Sequence, residues 1–419
     1  MTRTRERPYA WCVTVFFVVA PFTRLVWVLL CLVLAFEGAA QAQSRSITLA
    51  EAIVLAQNEA PAAVDARLVR DVQAVQLPAA GLSSILNPLV EFGVERGAYY
   101  NDVVAYGQLL LRFEVSGQRS ARMAEADLML RSKESRLLVS LADTAGATAE
   151  AFGAVAAARA RVTEVDRGLS AADEEERIHR ARLKAGDATL VDVASAEAEV
   201  GRWRQLRRTS EVALISAKSR LAQLLGDASR EPTGDLLPPS VSLASGVIAP
   251  LVSAALLAES SAFASSADRV RSEAQSPLDV GPRVMRGDFG ELRVGLVVGA
   301  TLPLFRRSQG EVARLDGEAL RASKLANVVA RAAAIRATAS VNRLEVARAT
   351  LAELDANAIP SAERAVTSAQ EAFRAGKADF FRVLLARRDL VGTRMRRLDV
   401  VELAWAAYAD LLALGAVTP

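Results

Sequence analysis

The sequence predicts a mainly α-helical chain with a small β part, in which long antiparallel coiled-coil helices and β-hairpins are laid out twice. Three observations carry this. The stretches LKAGDATLVDV, Leu183–Val193, and FRAGKADFFRV, Phe373–Val383, match at an offset of 190 residues, with Gly186 and Gly376 at their centres. Each glycine follows a basic residue and an alanine, closes one helical pattern and opens another, which is where a left-handed residue lets a helix stop and reverse. Long runs on either side place apolar residues three and four apart. Two short regions switch to strict alternation, the period of a strand. A repeat of this length is a property of the whole architecture.

The apolar weight lies in alanine, leucine and valine and only 5% of residues are aromatic, as close-packed helices require. Of the net charge of +3, two charges belong to residues 1–42, where four arginines face Glu6 and Glu37. The single charge left gives no electrostatic case for nucleic acid. Residues 1–42 read as an export signal: Arg3, Arg5, Arg7 and Arg24 form the basic region, Leu25–Phe36 the apolar core, and Ala40-Gln41-Ala42 the cleavage site. An uncleaved anchor over Trp11–Phe36 is the rival reading, and Pro21 and Arg24 interrupt it. Cys12 and Cys31 both fall in this leader, so the remainder has no disulfide or thiolate site.

The first repeat is placed at 43–232. It opens on Ser46–Pro61, where Thr48 and Glu51 form a capping box and the helix rises through Ala66, Val69, Val72 and Val75. A β-hairpin follows over 88–115. Val90, Phe92 and Val94 alternate with Glu91, Gly93 and Glu95, and Leu109, Leu111 and Phe113 alternate with Gln108, Arg112 and Glu114. Tyr99, Tyr100 and Tyr106 cluster there. A transmembrane barrel hairpin and a half-buried soluble hairpin fit this pattern equally. From Gln118 to Lys184 one helix is expected, with Leu130, Leu137, Leu141, Phe152, Val155, Val162, Val165 and Leu169 as its apolar stripe. Unbroken, it is a rod of roughly 100 Å. The tip turn 183–193 leads into a helix from Thr189 to Leu225, and Gly226–Ser240 is a Pro-rich linker.

The second repeat, 233–419, keeps the order. A helix over Ala249–Ala274 precedes a hairpin at 280–305, with a weak strand at Val280–Arg286 and a strong one at Leu292–Phe305. In the strong strand Val294, Leu296, Val298, Ala300 and Leu302 oppose Arg293 and Thr301. A heptad stripe then runs Val312, Leu315, Ala319, Ala322, Ala326, Val329, Ala333, takes one extra four-step to Ala337, and resumes at Ser340, Leu344, Ala347, Leu351, Leu354 and Ala358. Pro360 is expected to kink this helix before the tip turn 373–383, and a last helix covers Asp379–Leu414. Four strands cannot close a barrel, and lipid does not tolerate open edges, so several chains would have to build one together. Val90, Phe92, Leu111, Phe113, Leu296 and Val298 would then face lipid, and Arg112, Glu114, Arg293 and Thr301 the lumen.

The stretches ITLAEAIVLAQNEAP, AGDATLVDVASAEAEV, AGKADFFRVLLARRDL, FEVSGQRSAR and LPLFRRSQGEVA, with Pro360, resemble the TolC-like outer-membrane efflux proteins, and among them the heavy-metal cation-efflux branch. The resemblance covers nearly all of the chain after the leader. It implies a homotrimer in the outer membrane of a Gram-negative bacterium, with four strands per protomer in a twelve-stranded β-barrel above a periplasmic α-barrel. It also implies docking of the tips on a periplasmic adaptor (a membrane fusion protein) coupled to an inner-membrane pump of the resistance-nodulation-division type. Where family members can carry an acidic aperture ring, this chain has Arg382 and Leu385.

Site chemistry is sparse, as a non-enzymatic duct without cofactor or metal would have it. No phosphate loop or nucleophile–base pair is present. His179, the only histidine, stands in the run DEEERIHRAR and reads as a solvated helix face; Asp173–Glu176 reads as solvated surface. The candidate docking residues are Gly186, Leu190 and Val191 in one turn and Gly376, Phe380 and Phe381 in the other, whose apolar side chains have no evident core to fill. Asp192, Asp379 and Arg382 are the candidate aperture residues, with Arg382 pairing either aspartate or standing as an ordinary surface arginine. The expected function is the exit duct of a tripartite efflux system whose cargo can include heavy-metal cations. A duct for drugs or type I protein secretion is the alternative, and a periplasmic coiled-coil adaptor or scaffold the second. An adaptor would show one helical hairpin flanked by β-rich segments, and this chain shows two.

Overall fold

The computed structural model describes residues 45–96, 103–241, 250–287, 290–300, 305 and 307–417. The predicted leader lies outside these residues, as do Tyr99, Tyr100, Thr301 and Leu302. The chain divides into two compact units. The smaller holds most of a two-stranded pairing of β1 (Arg45–Ile47) with β4 (Arg230–Pro232). The larger comprises residues 47–228 and 232–419. Its first half runs α1 (Leu49–Glu59), α2 (Pro61–Ala80), β2 (Ile85–Arg96), β3 (Val103–Phe113), α3 (Gln118–Lys184) and α4 (Leu190–Leu225). Its second half runs α5 (Leu251–Glu273), β5 (Leu278–Arg286), β6 (Leu292–Ala300), α6 (Gln309–Glu353), a π-helical turn (Leu354–Ala358), α7 (Ile359–Arg374) and α8 (Phe380–Ala413).

Local chemistry sets most boundaries. Thr48 and Glu51 cap α1 reciprocally, the Thr48 N–H donating to the carboxylate at 3.0 Å and the Glu51 N–H to the Thr48 hydroxyl at 3.4 Å. The single helix expected beyond this cap is instead two. Ala60 is extended (φ −64°, ψ 134°) because it precedes Pro61, whose ring disfavours a helical residue before it. At Pro360 the chain does not stop but changes register: the π-helical turn ends two residues before it, at Ala358, and α7 begins with proline in its first turn. A wider turn accommodates the amide that proline cannot donate. Gly226 (φ 66°) terminates α4, and the linker beyond it is bound through its carbonyls. The Trp405 indole donates to Leu236 O at 2.8 Å, and the Arg348 guanidinium to Pro238 O and Pro239 O at 3.0 and 2.6 Å.

α3 is continuous over 67 residues, about 100 Å at 1.5 Å per residue. Phe152, Val155 and Val165 of its expected stripe are buried, but Leu130, Leu137, Leu141, Val162 and Leu169 are only half-buried. Small residues take the closest contacts. A Cβ on Gly153 would lie 2.1 Å from the Trp405 ring of α8, and one on Gly146 would lie 2.6 Å from Ala409 O. In α6 every buried side chain falls on the expected heptad stripe, including Ala337 and Ser340 after the extra step. The main core joins Ile53, Phe152, Val155, Leu221, Leu225, Val401, Trp405 and Tyr408.

The four longer strands form one antiparallel sheet in the order β2-β3-β5-β6. The register of β2 against β3 slips between Leu86 and Leu89, at a bulge that contains Pro88, where a missing ladder donor is tolerated.

Candidate functional site

The sheet sorts its side chains by chemistry. Cross-strand partners share a face, and Val90 opposes Leu109, Leu111 opposes Val280, Val280 opposes Val298, and Pro282 opposes Leu296. Phe92 pairs with Gly107 and Phe113 with Leu278, so all six side chains expected to face lipid lie on one side. That side is open: Phe92 is 81% exposed, Leu296 72% and Val298 62%. The reverse side is polar and internally bonded. Gln108 donates to Glu91 at 2.5 Å, Arg112 pairs with Asp279 at 2.9 Å, and the Arg283 guanidinium stands 4.2 Å over the Tyr106 ring. Gly93 sits under that ring, where a Cβ would come within 2.3 Å of it. Arg293 pairs with Met285, the partner of Tyr106, and so shares the polar side. Glu114, just past β3, binds the Arg122 guanidinium. Among the described residues β2 and β6 each pair along one edge only.

The two tip turns have the same backbone. Gly186 (φ 82°) and Gly376 (φ 70°) are left-handed, and open space surrounds the place where a Cβ would stand. In each, the glycine N–H and the next N–H close the helix end: Gly186 to Leu183 O and Asp187 to Arg182 O, then Gly376 to Phe373 O and Lys377 to Ala372 O. Each following helix is capped by a side chain. Thr189 and Asp192 form a capping box, whose bonds from the Thr189 backbone and hydroxyl hold the Asp192 carboxyl below its ordinary range. Asp379 accepts the Arg382 N–H at 3.1 Å. Arg382 thus meets Asp379 through its backbone, with its exposed side chain making no ion pair to either aspartate within the chain.

Leu190, Val191 and Phe381 are exposed, at 76, 72 and 63%. Phe380 departs from the expectation that it lacks a core. It is 5% exposed and packs with Ala196, Val383 and Leu384, so it is unavailable as a surface contact. His179 is likewise not on a solvated face. It is 2% exposed, its ring centroid 3.9 Å from that of Phe380 and 5.9 Å from that of Phe373. Burial pushes the imidazole below its ordinary range, against the pull of Asp192 and helped by Arg182. The run Asp173–Glu176 splits in the same way: Glu174 is solvated, whereas Glu175 turns inward to Arg387 at 2.8 Å. Burial raises the Glu175 carboxyl, Arg387 opposing and Glu199 adding to it.

These contacts tie the α3–α4 hairpin to the α7–α8 hairpin. Arg388 reaches Glu199 at 2.9 Å and Arg394 reaches Glu164 at 3.0 Å, while Arg394 also joins Glu363 of its own hairpin at 2.6 Å. Between them lies a cavity of about 190 Å³ lined by Trp203, Leu384, Val391 and Met395. A sequence signal for His179 existed: Ala151, Ala158, Val165, Ala172 and His179 are spaced by seven, and all are buried. Following leucines alone misses it.

No protein-family profile matches the chain. It is 28% identical over 316 residues to the cobalt-zinc-cadmium resistance protein CzcC of Cupriavidus metallidurans, covering 73% of this chain and 75% of that protein. Among solved structures it superposes on the outer membrane protein VceC of Vibrio cholerae with a TM-score of 0.69 at 18% identity, over 88% of this chain and 96% of that one. A membrane protein of Pseudomonas aeruginosa gives 0.71 at 16%, over 87% and 93%. The Campylobacter jejuni outer membrane channel CmeC gives 0.66 at 14%, over 88% and 85%. The chain thus has the fold of these outer-membrane channel proteins, and in sequence it is similar to the cobalt-zinc-cadmium resistance protein.

Proposed function

We propose that this chain is the outer-membrane exit duct of a tripartite efflux system, with a large periplasmic portion. One observation carries the reading: a four-stranded sheet has an exposed apolar side, a bonded polar side and, among the described residues, two edges without a partner strand. Water disfavours the first and lipid the last. Three copies supply twelve strands, close every edge and turn the apolar side to the bilayer. A periplasmic scaffold would have no use for that side. The helices, α3 alone about 100 Å long, carry the tips away from the membrane. There Leu190, Val191 and Phe381, set by the Gly186 and Gly376 turns, offer the contacts for a periplasmic adaptor. That adaptor links the duct to an inner-membrane pump of the resistance-nodulation-division type. Asp192 and Asp379 hold the turns in shape, and Arg382 is the charge offered at the aperture. The cargo we assign is heavy-metal cations, on the strength of the similarity to CzcC. The duct needs no catalytic group or resident metal.

The cargo is tested by deleting the gene and measuring tolerance to cobalt, zinc and cadmium alongside a panel of organic antibiotics. Loss of metal tolerance that the intact gene restores supports the assignment. Sensitivity to the antibiotics alone would move the protein to a drug-efflux duct.

A further inference from the structure

The one histidine of the chain occupies an unusual place. His179 sits in α3, seven residues before the Gly186 turn, yet its contacts belong to the other hairpin: Phe373 at the end of α7 and Phe380 at the start of α8. It is 2% exposed and its Nδ1 is buried without a hydrogen-bond partner. A neutral imidazole tolerates this as an aromatic packing element. An imidazolium would carry a second N–H with no acceptor and a charge with little water.

We propose that His179 is a proton-operated latch between the two hairpins of the tip: neutral, it holds Phe373 and Phe380 against the first hairpin, and protonated it lets them part. The charged groups acting on it are few. From the first turn of α4, Asp192 favours the cation, but its carboxylate is already engaged by Thr189. From α3 itself, Arg182 opposes the cation, with its guanidinium 5.0 Å over the Phe373 ring. α7 and α8 present the two phenyl rings. Ring faces attract cations, but Phe373 is already under Arg182, and desolvation is the largest influence on the imidazole. A base held below its ordinary pKa of about 6.5 contributes its packing in full above that pH. The contribution is lost as pH falls through the lowered value. The rest of the hairpin interface combines ion pairs with apolar contacts of Ala196, Trp203, Val383 and Leu384, and a cavity of about 190 Å³ beside them leaves room for the hairpins to shift once the latch is charged.

The separation of the hairpins is a property of this chain alone; its consequence, a duct that opens more readily in acid, rests on the proposed function. Both natural cysteines lie in the predicted leader, so spin labels can be confined to Asp187→Cys and Lys377→Cys, exposed positions beside the two glycines. The full mature protein, labelled and diluted with unlabelled chains in detergent, is measured by pulsed electron resonance between about pH 7.5 and about pH 5, bracketing the ordinary imidazole. The latch predicts a distance that lengthens and broadens in acid with His179 present and stays short with His179→Phe. His179→Gln, polar but without a charge to gain, is likewise insensitive to pH and serves if the phenylalanine variant fails to fold. An unchanged distance with His179, or an equal change in the variants, overturns the latch. Conductance of the same proteins in planar bilayers is read separately: a pH-dependent distance without any channel leaves the latch and removes the duct.

Discussion

The sheet and the tips both expose large apolar side chains, but in different ways. On the sheet, Val90, Phe92, Val294, Leu296 and Val298 share one exposed side, and Glu91, Gln108, Arg112, Asp279 and Arg283 form bonded polar groups behind it. At the tips, the adjacent Leu190 and Val191 and, on the other turn, Phe381 stand out beside buried neighbours such as Val193, Phe380 and Val383. The difference separates two kinds of environment. An exposed apolar side with bonded polar groups on its reverse suits a solvent that is itself apolar. Isolated apolar knobs on a capped, well-packed turn suit a protein partner that comes and goes.

The largest effect follows from charging the sheet. Leu296→Arg should cost about 2–4 kcal/mol at a midplane position and abolish assembly in the outer membrane. Arg293→Ala, on the polar side, should leave assembly intact; urea unfolding from vesicles and membrane fractionation measure both. Equal tolerance of the two would erase the distinction between the sides.

Adjacent phenylalanines sharpen the comparison at the tip. Phe380→Ala empties a buried site and should cost about 3 kcal/mol, at the low end for a core phenylalanine because the site is at a helix end. Phe381→Ala should leave thermal stability unchanged and reduce cross-linking to the adaptor. Reversal of these two outcomes would mean that the exposed knobs are not the contact surface. A smaller effect is expected at Gly376→Val, where the φ of 70° strains a branched side chain by about 1–3 kcal/mol although a Cβ would meet nothing. Melting of the tip without loss of the trimer is the expected reading.

How much of this the sequence discloses depends on the range of the physics. Helix ends are local, so the Thr48 cap and the glycine stops lie open in the sequence. The α6 stripe is open too, because one side of a regular coiled coil repeats in its own sequence. The break at Ala60 is local too, set by Pro61, but the expectation of a single helix passed over it. What was not legible arises between hairpins. Glu175 and His179 look solvated in a charged run, and only the approach of Arg387, Phe373 and Phe380 from nearly 200 residues away buries them. Similarly, α3 packs through Gly146 and Gly153, whose meaning depends on Ala409 and Trp405. The apolar side of the sheet was readable as alternation; that its two hairpins join through β3 and β5 was not.

If three chains complete one membrane barrel from four strands each, native mass spectrometry of the protein released from outer membranes by mild detergent will find a trimer. Leu296→Arg should prevent that trimer from forming and Arg293→Ala should not. A monomer recovered from the soluble periplasmic fraction, stable with its sheet intact, would contradict the shared barrel.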